Sequence, residues 1–371
     1  MKLTLQEAKD LLVGVTILAT GGGGPLEKGL AAAEADYAAG LSYELIGKDE
    51  IDKNGIYTSP YYCGSVDGKR ALNDPYYNYK PLSEPETVLA VRALESFLGK
   101  PMSGFVSIEY GGGNTAAALS TAAHMGKPAV DADAAGRAVP DLQFSTFYLD
   151  KRSIAPLAVA SAIGDVAVFE RVADDFRAEA LVRALAVVSG NVVGMTDHPV
   201  TGAELESCVI WGALSYAMSV GQARREAEEA GDCPISAICA AAPGWKLFTG
   251  VVNGDTKWIN EAGFTIGTIE IDGRDEFAGE TYKIWFKNEN MLSWKNDKTH
   301  ITCPDLICVV DLKTGWPLLN PGCKDGMEVA VLGFQSPEIW RGARGREILC
   351  PKFFGFDDIW TPIETLMKGL V

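Results

Sequence analysis

The stretch Met102–Asp133, MSGFVSIEYGGGNTAAALSTAAHMGKPAVDAD, decides the fold. An apolar run ends at Glu109, three glycines follow, a run of small residues has helical character, and a second apolar run ends on Asp131 and Asp133. This predicts strand, glycine turn, helix and strand in succession, the unit from which parallel sheets are built. Ligands of such sheets sit beyond the carboxyl ends of the strands, where Glu109 and the aspartate pair fall.

Working outward, LTLQEAKDLLVGVTILA has its apolar residues at helical spacing and stops at Gly21–Gly24, and GPLEKGLAAAEADYAAG reads as a second helix. YELIG and GIYTSPYYCGS read as short strands, and EPETVLAVRALESFLGK as an amphipathic helix. After about residue 165 the texture changes. Two further helical runs, DDFRAEALVRALAVVSG and CVIWGALSYAMSVGQARREAEEAG, give way to closely spaced β-forming segments with glycine turns, the mark of antiparallel β structure. The expected organisation is an α/β N-terminal domain with a mostly parallel sheet over residues 1–165, carrying the acidic and glycine-rich motifs. A β-rich α+β C-terminal domain over residues 166–371 follows.

The chain has 371 residues, long enough for two cores. Apolar residues make up 47% and charged residues 22%, a globular composition, and the net charge of −16 without a Lys/Arg cluster argues against nucleic acid as a partner. The N-terminal apolar stretch is too short to span a bilayer, so a cytoplasmic location and no membrane partner are expected. Eight scattered cysteines lack Cys-x-x-Cys spacing, and the three histidines form no His-x-x-x-His pair. A metal, if held, would therefore be a divalent ion in an oxygen-rich site.

Asp131 and Asp133 are two apart, so on a strand they project from one face and repel unless they bind a cation, share a proton or meet an arginine such as Arg137. Each arrangement suits acid–base chemistry. The alternative is structural: Asp133 caps the next turn and Asp131 pairs with Arg137. Glu109 is the third carboxylate. Gly112, Gly113 and Asn114 open a helix whose N–H groups suit a carboxylate or a ring carbonyl, and Gly22 and Gly23 in TGGGG suggest a similar cradle. Neither glycine run has the spacing of a nucleotide-binding loop, so no nucleotide cofactor is expected. His198, beside Asp197 and Pro199, reads as an exposed loop imidazole suited to proton transfer. His124, His300 and Cys63 are weaker candidates.

Four motifs carry a family resemblance: TGGGG (20–24), SIEYGGGNTAAALSTAAHMGKPAVDADAAGRAVPDLQ (107–143), CPDLICVVDLKTGWPL (303–318) and CPKFFGFDDIWTPIE (350–364). In their order the chain resembles the S-methyl thiohydantoin desulfurase family of bacterial proteins, first recorded as a domain of unknown function. The resemblance implies a two-domain cytosolic protein, often encoded with hydantoinase and oxoprolinase-type enzymes. The implied activity is hydrolytic removal of sulfur from a thiohydantoin in ergothioneine breakdown. Asp131, Asp133, Glu109, Arg137 and His198 are then the expected catalytic residues, and Gly22, Gly23, Gly112, Gly113 and Asn114 the expected contacts to a small heterocyclic substrate. A homo-oligomer is the expected assembly. A hydantoin-type cyclic amide hydrolase, or a non-catalytic partner subunit of a hydantoinase or oxoprolinase, are the alternatives.

Overall fold

The computed structural model describes residues 1–64, 78–261 and 263–368. The last residue of the run GIYTSPYYCGS, Ser65, lies outside the described residues.

The chain forms two compact units. The first comprises Met1–Ala8, Leu26–Ala135 and Asp141–Ala213, and the second Lys9–Pro25, Gly136–Pro140 and Leu214–Val371. The expected division at 165 treats the chain as two continuous halves; the compact units are interleaved instead, and residues 141–213 belong with the first.

The first unit is built on a mixed sheet of β1 (Leu45–Ile46), β2 (Ile56–Gly64), β3 (Gly104–Ser107), β4 (Ala129–Asp133), β5 (Leu157–Ala160), β6 (Val166–Phe169), β7 (Val192–Thr201) and β8 (Ile210–Trp211). Its order is β1-β4-β3-β2-β7-β5-β6, with β8 beside β4. The strands β1, β4, β3 and β2 are mutually parallel, and β7, β5 and β6 continue antiparallel. The parallel portion follows from the βαβ pattern, since Glu86–Leu98 joins β2 to β3 and Gly112–His124 joins β3 to β4.

Alternation assigns the faces. Tyr57, Tyr61, Cys63, Val106, Ile108, Val130 and Ala132 share one apolar cluster with Ala178, Val182 and Ala186 of the helix Asp175–Val188. On the other face, a Cβ on Gly194 would meet Glu86 and Thr87 at 2.5–2.6 Å, so the helix Glu86–Leu98 lies directly against β7. Helices therefore cover both faces, as a parallel core requires.

The second unit has an antiparallel sheet of β9 (Gly244–Val252), β10 (Lys257–Glu261), β11 (Phe264–Gly273), β12 (Thr281–Lys287), β13 (Glu289–Lys295), β14 (Lys298–Thr302), β15 (Leu306–Asp311) and β16 (Glu328–Phe334). The order is β14-β13-β12-β11-β9-β16-β15, with β10 on β11. Phe248, Ile269, Ile271, Ile284, Phe286, Val329 and Val331 alternate inward to form its core. No helix among the described residues is long and apolar enough to cross a membrane.

Candidate functional site

Glu109, Gly112, Gly113, Asn114, Asp131, Asp133 and His198 all belong to the first unit; Gly22, Gly23 and Arg137 belong to the second.

Strands β3 and β4 are parallel neighbours with Ser107 opposite Asp133, so Glu109 and the aspartates leave the sheet at the same edge. Val130 and Ala132 point into the apolar cluster shared with Asp175–Val188. By alternation Asp131 and Asp133 face the opposite side, as their spacing predicts. The helix Gly112–His124 starts three residues after Glu109. Its first turn orients that carboxylate: Asn114 Nδ2 donates to Glu109 Oε1 (2.7 Å), while the Tyr62 N–H donates to Asn114 Oδ1 (3.1 Å) and fixes which end of the amide faces the acid. Ser107 Oγ donates to the Glu109 carbonyl (2.9 Å), which holds the strand end in place.

The two aspartates differ in environment. Asp133 is fully buried, and its Oδ1 accepts from the Ala135 N–H (2.8 Å), so the turn-capping role foreseen for it is realised. Asp131 is half-buried. Among the described residues no group of three or more His, Cys, Asp or Glu side chains is arranged to hold a metal ion.

The glycines have packing reasons of their own. Gly112 is buried, and a Cβ on Gly29 of the helix Leu26–Ala38 would come within 1.9 Å of its carbonyl oxygen. The missing side chain of Gly29 therefore permits the close approach of the two helices. In the second unit a Cβ on Gly22 would meet Glu289 Oε1 at 1.9 Å, so this glycine makes room for a buried glutamate that the sequence reading did not single out. Gly23 has φ +76°, a conformation that suits glycine.

His198 corrects an expectation. It is not an exposed loop residue but a fully buried position in β7, where φ is +47° and the β2–β7 register shifts between Tyr57 and Ser59. Its Nδ1 lies 2.9 Å from Asp197 Oδ1 and its Nε2 3.3 Å from Asp175 Oδ2, and the ring stacks on Phe147 with centroids 4.8 Å apart. Tyr61 Oη donates to the other Asp197 oxygen (2.6 Å). Burial pulls the imidazole pKa down, but the two carboxylates outweigh it and hold it up at about 9. Burial raises Asp175 even though His198 opposes the shift. Sequence adjacency made Asp197 findable; Asp175 and Tyr61, far off in the chain, had no local signal.

Arg137 is fully buried in the second unit. Nε donates to the Ala138 carbonyl (3.1 Å), Nη1 to that of Pro304 (3.1 Å), and Nη2 to Thr20 Oγ1 (3.1 Å) and the Asn290 carbonyl (3.0 Å). Burial lowers its pKa, and the nearby Cys303 and Glu289 oppose that shift. Each nitrogen of the guanidinium is thus engaged by the protein itself.

The weaker candidates are accounted for. Burial pushes the Cys63 thiol up, away from the thiolate a nucleophile needs. His300 Nδ1 lies 3.0 Å from Tyr282 Oη, and burial pushes this imidazole down to about 4, so it is neutral at pH 7. His124 Nε2 lies 3.0 Å from Asp36 Oδ1, and Tyr43 Oη donates to the other oxygen of that carboxylate (2.9 Å). A pair the sequence reading passed over, Glu179 and Arg183, stands at i,i+4 spacing on Asp175–Val188. Burial raises the Glu179 carboxyl despite the guanidinium beside it.

The comparisons extend over the whole chain. The model of the S-Me-THD-like N-terminal domain matches residues 6–171, and that of the S-Me-THD-like C-terminal domain residues 173–363. A crystal structure of a protein from Chromobacterium violaceum superposes with a TM-score of 0.77 over 98% of this chain and 100% of that one, at 20% identity, and so shares its fold. No curated protein matches. With both domain models matched in order and the carboxylates standing at the ends of neighbouring parallel strands, the chain belongs to the S-Me-THD-like family.

Proposed function

We propose that this protein is a hydrolase that removes sulfur from a thiohydantoin-type ring, releasing methanethiol from an S-methyl thiohydantoin and leaving a hydantoin. Family membership supports the substrate class. The observation that carries the chemistry is the oriented carboxylate, Glu109 held by Asn114, at the strand edge it shares with Asp131 and Asp133.

In the cyclic isothiourea, the carbon bearing sulfur becomes electrophilic once the adjacent ring nitrogen carries a proton. Glu109, as a carboxylate, accepts a hydrogen bond from that N–H and stabilises the protonated ring. Asp131, the more accessible aspartate, takes a proton from water as its oxygen bonds to the ring carbon. The carbon–sulfur bond then breaks, its electron pair leaves with sulfur, the proton held by Asp131 passes to the thiolate, and the hydroxyl proton returns to the solvent from which the ring nitrogen took its own, leaving the carbonyl. One water is consumed, one methanethiol leaves, and the carbon keeps a carbonyl oxygen. Asp133 shapes the turn that follows Asp131. The N–H groups of Gly112 and Gly113 at the helix start face the ring carbonyl.

The purified chain, given an S-methyl thiohydantoin, is expected to release thiol in step with hydantoin formation. Asp131→Asn lowers turnover at least about a hundredfold in folded protein, whereas Asp133→Asn, which keeps an acceptor for the Ala135 N–H, costs far less. Ring opening without thiol would assign a cyclic amide hydrolase instead. Turnover only alongside a hydantoinase or oxoprolinase would make the chain an accessory subunit.

A further inference from the structure

We propose that β10 is the strand through which two copies of this chain pair, antiparallel and centred on Ile259. Among the described residues β10 is bonded to β11 and to no other strand. All five of its residues are exposed, including two large apolar ones, Trp258 at 38% and Ile259 at 60%. Edge strands in proteins that stay monomeric are usually blunted by proline, a bulge or charge along their length. The segment Lys257-Trp258-Ile259-Asn260-Glu261 has no proline, and its two charges sit at its ends.

Those end charges have opposite sign and stand equally far from Ile259, which makes the strand complementary to itself in one orientation. Antiparallel pairing about Ile259 sets Lys257 opposite the partner's Glu261 and Glu261 opposite the partner's Lys257. Ile259 meets the partner's Ile259, and Trp258 lies across from the partner's Asn260. Parallel pairing in register would instead set lysine on lysine and glutamate on glutamate, which disfavours it. A two-fold axis through Ile259 repeats each contact, as closed dimers require. Within the chain Lys257 has only a long, exposed approach to Glu270 (3.7 Å), too weak to hold it from a partner. The hairpin is braced from behind, because Ile259 pairs with Ile266 and Trp258 with Gly267 of β11.

The test is the oligomeric state of the full chain by analytical ultracentrifugation, with circular dichroism confirming the fold of each variant. The wild-type protein is expected to dimerise. Lys257→Glu and Glu261→Lys, each of which creates two like-charge pairs, weaken the dimer about tenfold. The double variant K257E/E261K restores the opposite-charge pairs and returns the affinity to that of wild type. Ile259→Lys, which sets a lysine against itself on the axis, yields a monomer. A monomeric wild type, a dimer indifferent to the single exchanges, or a double variant as weak as the singles would each overturn the proposal.

Discussion

His198 in the first compact unit and Arg137 in the second are both fully buried, and they are held in opposite ways. His198 sits between the carboxylates of Asp197 and Asp175, whereas Arg137 has only neutral hydrogen-bond acceptors: three backbone carbonyls, a threonine hydroxyl and the Met291 sulfur. An imidazole readily loses its proton on burial, so anions must flank it if it is to stay charged. A guanidinium does not, so oriented dipoles suffice. Both residues are expected at the catalytic centre, and both are fully buried. The carboxylates Glu109 and Asp131 are placed differently, at a strand edge in the first unit.

The sharpest way to break this comparison is to remove the guanidinium. Arg137→Met leaves the acceptors of the second unit buried without a donor, and unfolding in urea is expected to show a loss of at least about 3 kcal/mol. Arg137→Lys recovers only part of it, because an ammonium cannot reach acceptors spread around a planar fork. Turnover per folded molecule should stay at the wild-type level. A rise in KM in folded protein would return Arg137 to the substrate.

His198 provides a smaller, pH-dependent effect. Its folded pKa of about 9 is raised above the ordinary 6.5, so the stabilisation is fully present below pH 6.5 and is lost as the pH climbs through 9. The change across that window is roughly 3 kcal/mol for wild type. Tyr61, whose hydroxyl is pushed further up by burial, stays neutral there. Denaturation midpoints at pH 6, 7.5 and 9 should fall in wild type and stay level in His198→Gln; parallel curves would show that the imidazole is neutral in the folded protein.

The smallest expected effect belongs to Asn114, which positions Glu109 from the same unit. Its amide N–H fixes the direction of the carboxylate, so Asn114→Ala should lower kcat/KM about tenfold in folded protein. An unchanged kcat/KM would assign Asn114 to the helix start alone.

Much of this was legible in local sequence, and particular residues show why. The periodicity of LQEAKDLLVGVTIL and ETVLAVRALESFL sets the helices Leu5–Leu18 and Glu86–Leu98, and the alternation of Ala129–Asp133 gives β4 with its aspartates on one face. His198 was misplaced because Pro199 and a positive φ break the alternation by which a strand is recognised. Pairing with β2, some 140 residues earlier in the chain, and with β5 reveals β7 as a strand.

What the sequence determined by itself is therefore the set of elements with short-range periodicity, the antiparallel character of the late strands, the three carboxylates at strand ends and the family. Tertiary structure alone decided the interleaving of the two units, the carboxylates around His198, the carbonyls around Arg137 and the glutamate that Gly22 accommodates. The physical reason is range. Periodicity and turn chemistry act over a few residues, whereas the partners of a buried polar group are whichever donors and acceptors folding brings near it. For Arg137 these come from Thr20, Asn290 and Pro304, positions more than a hundred residues away that no pattern around the arginine announces.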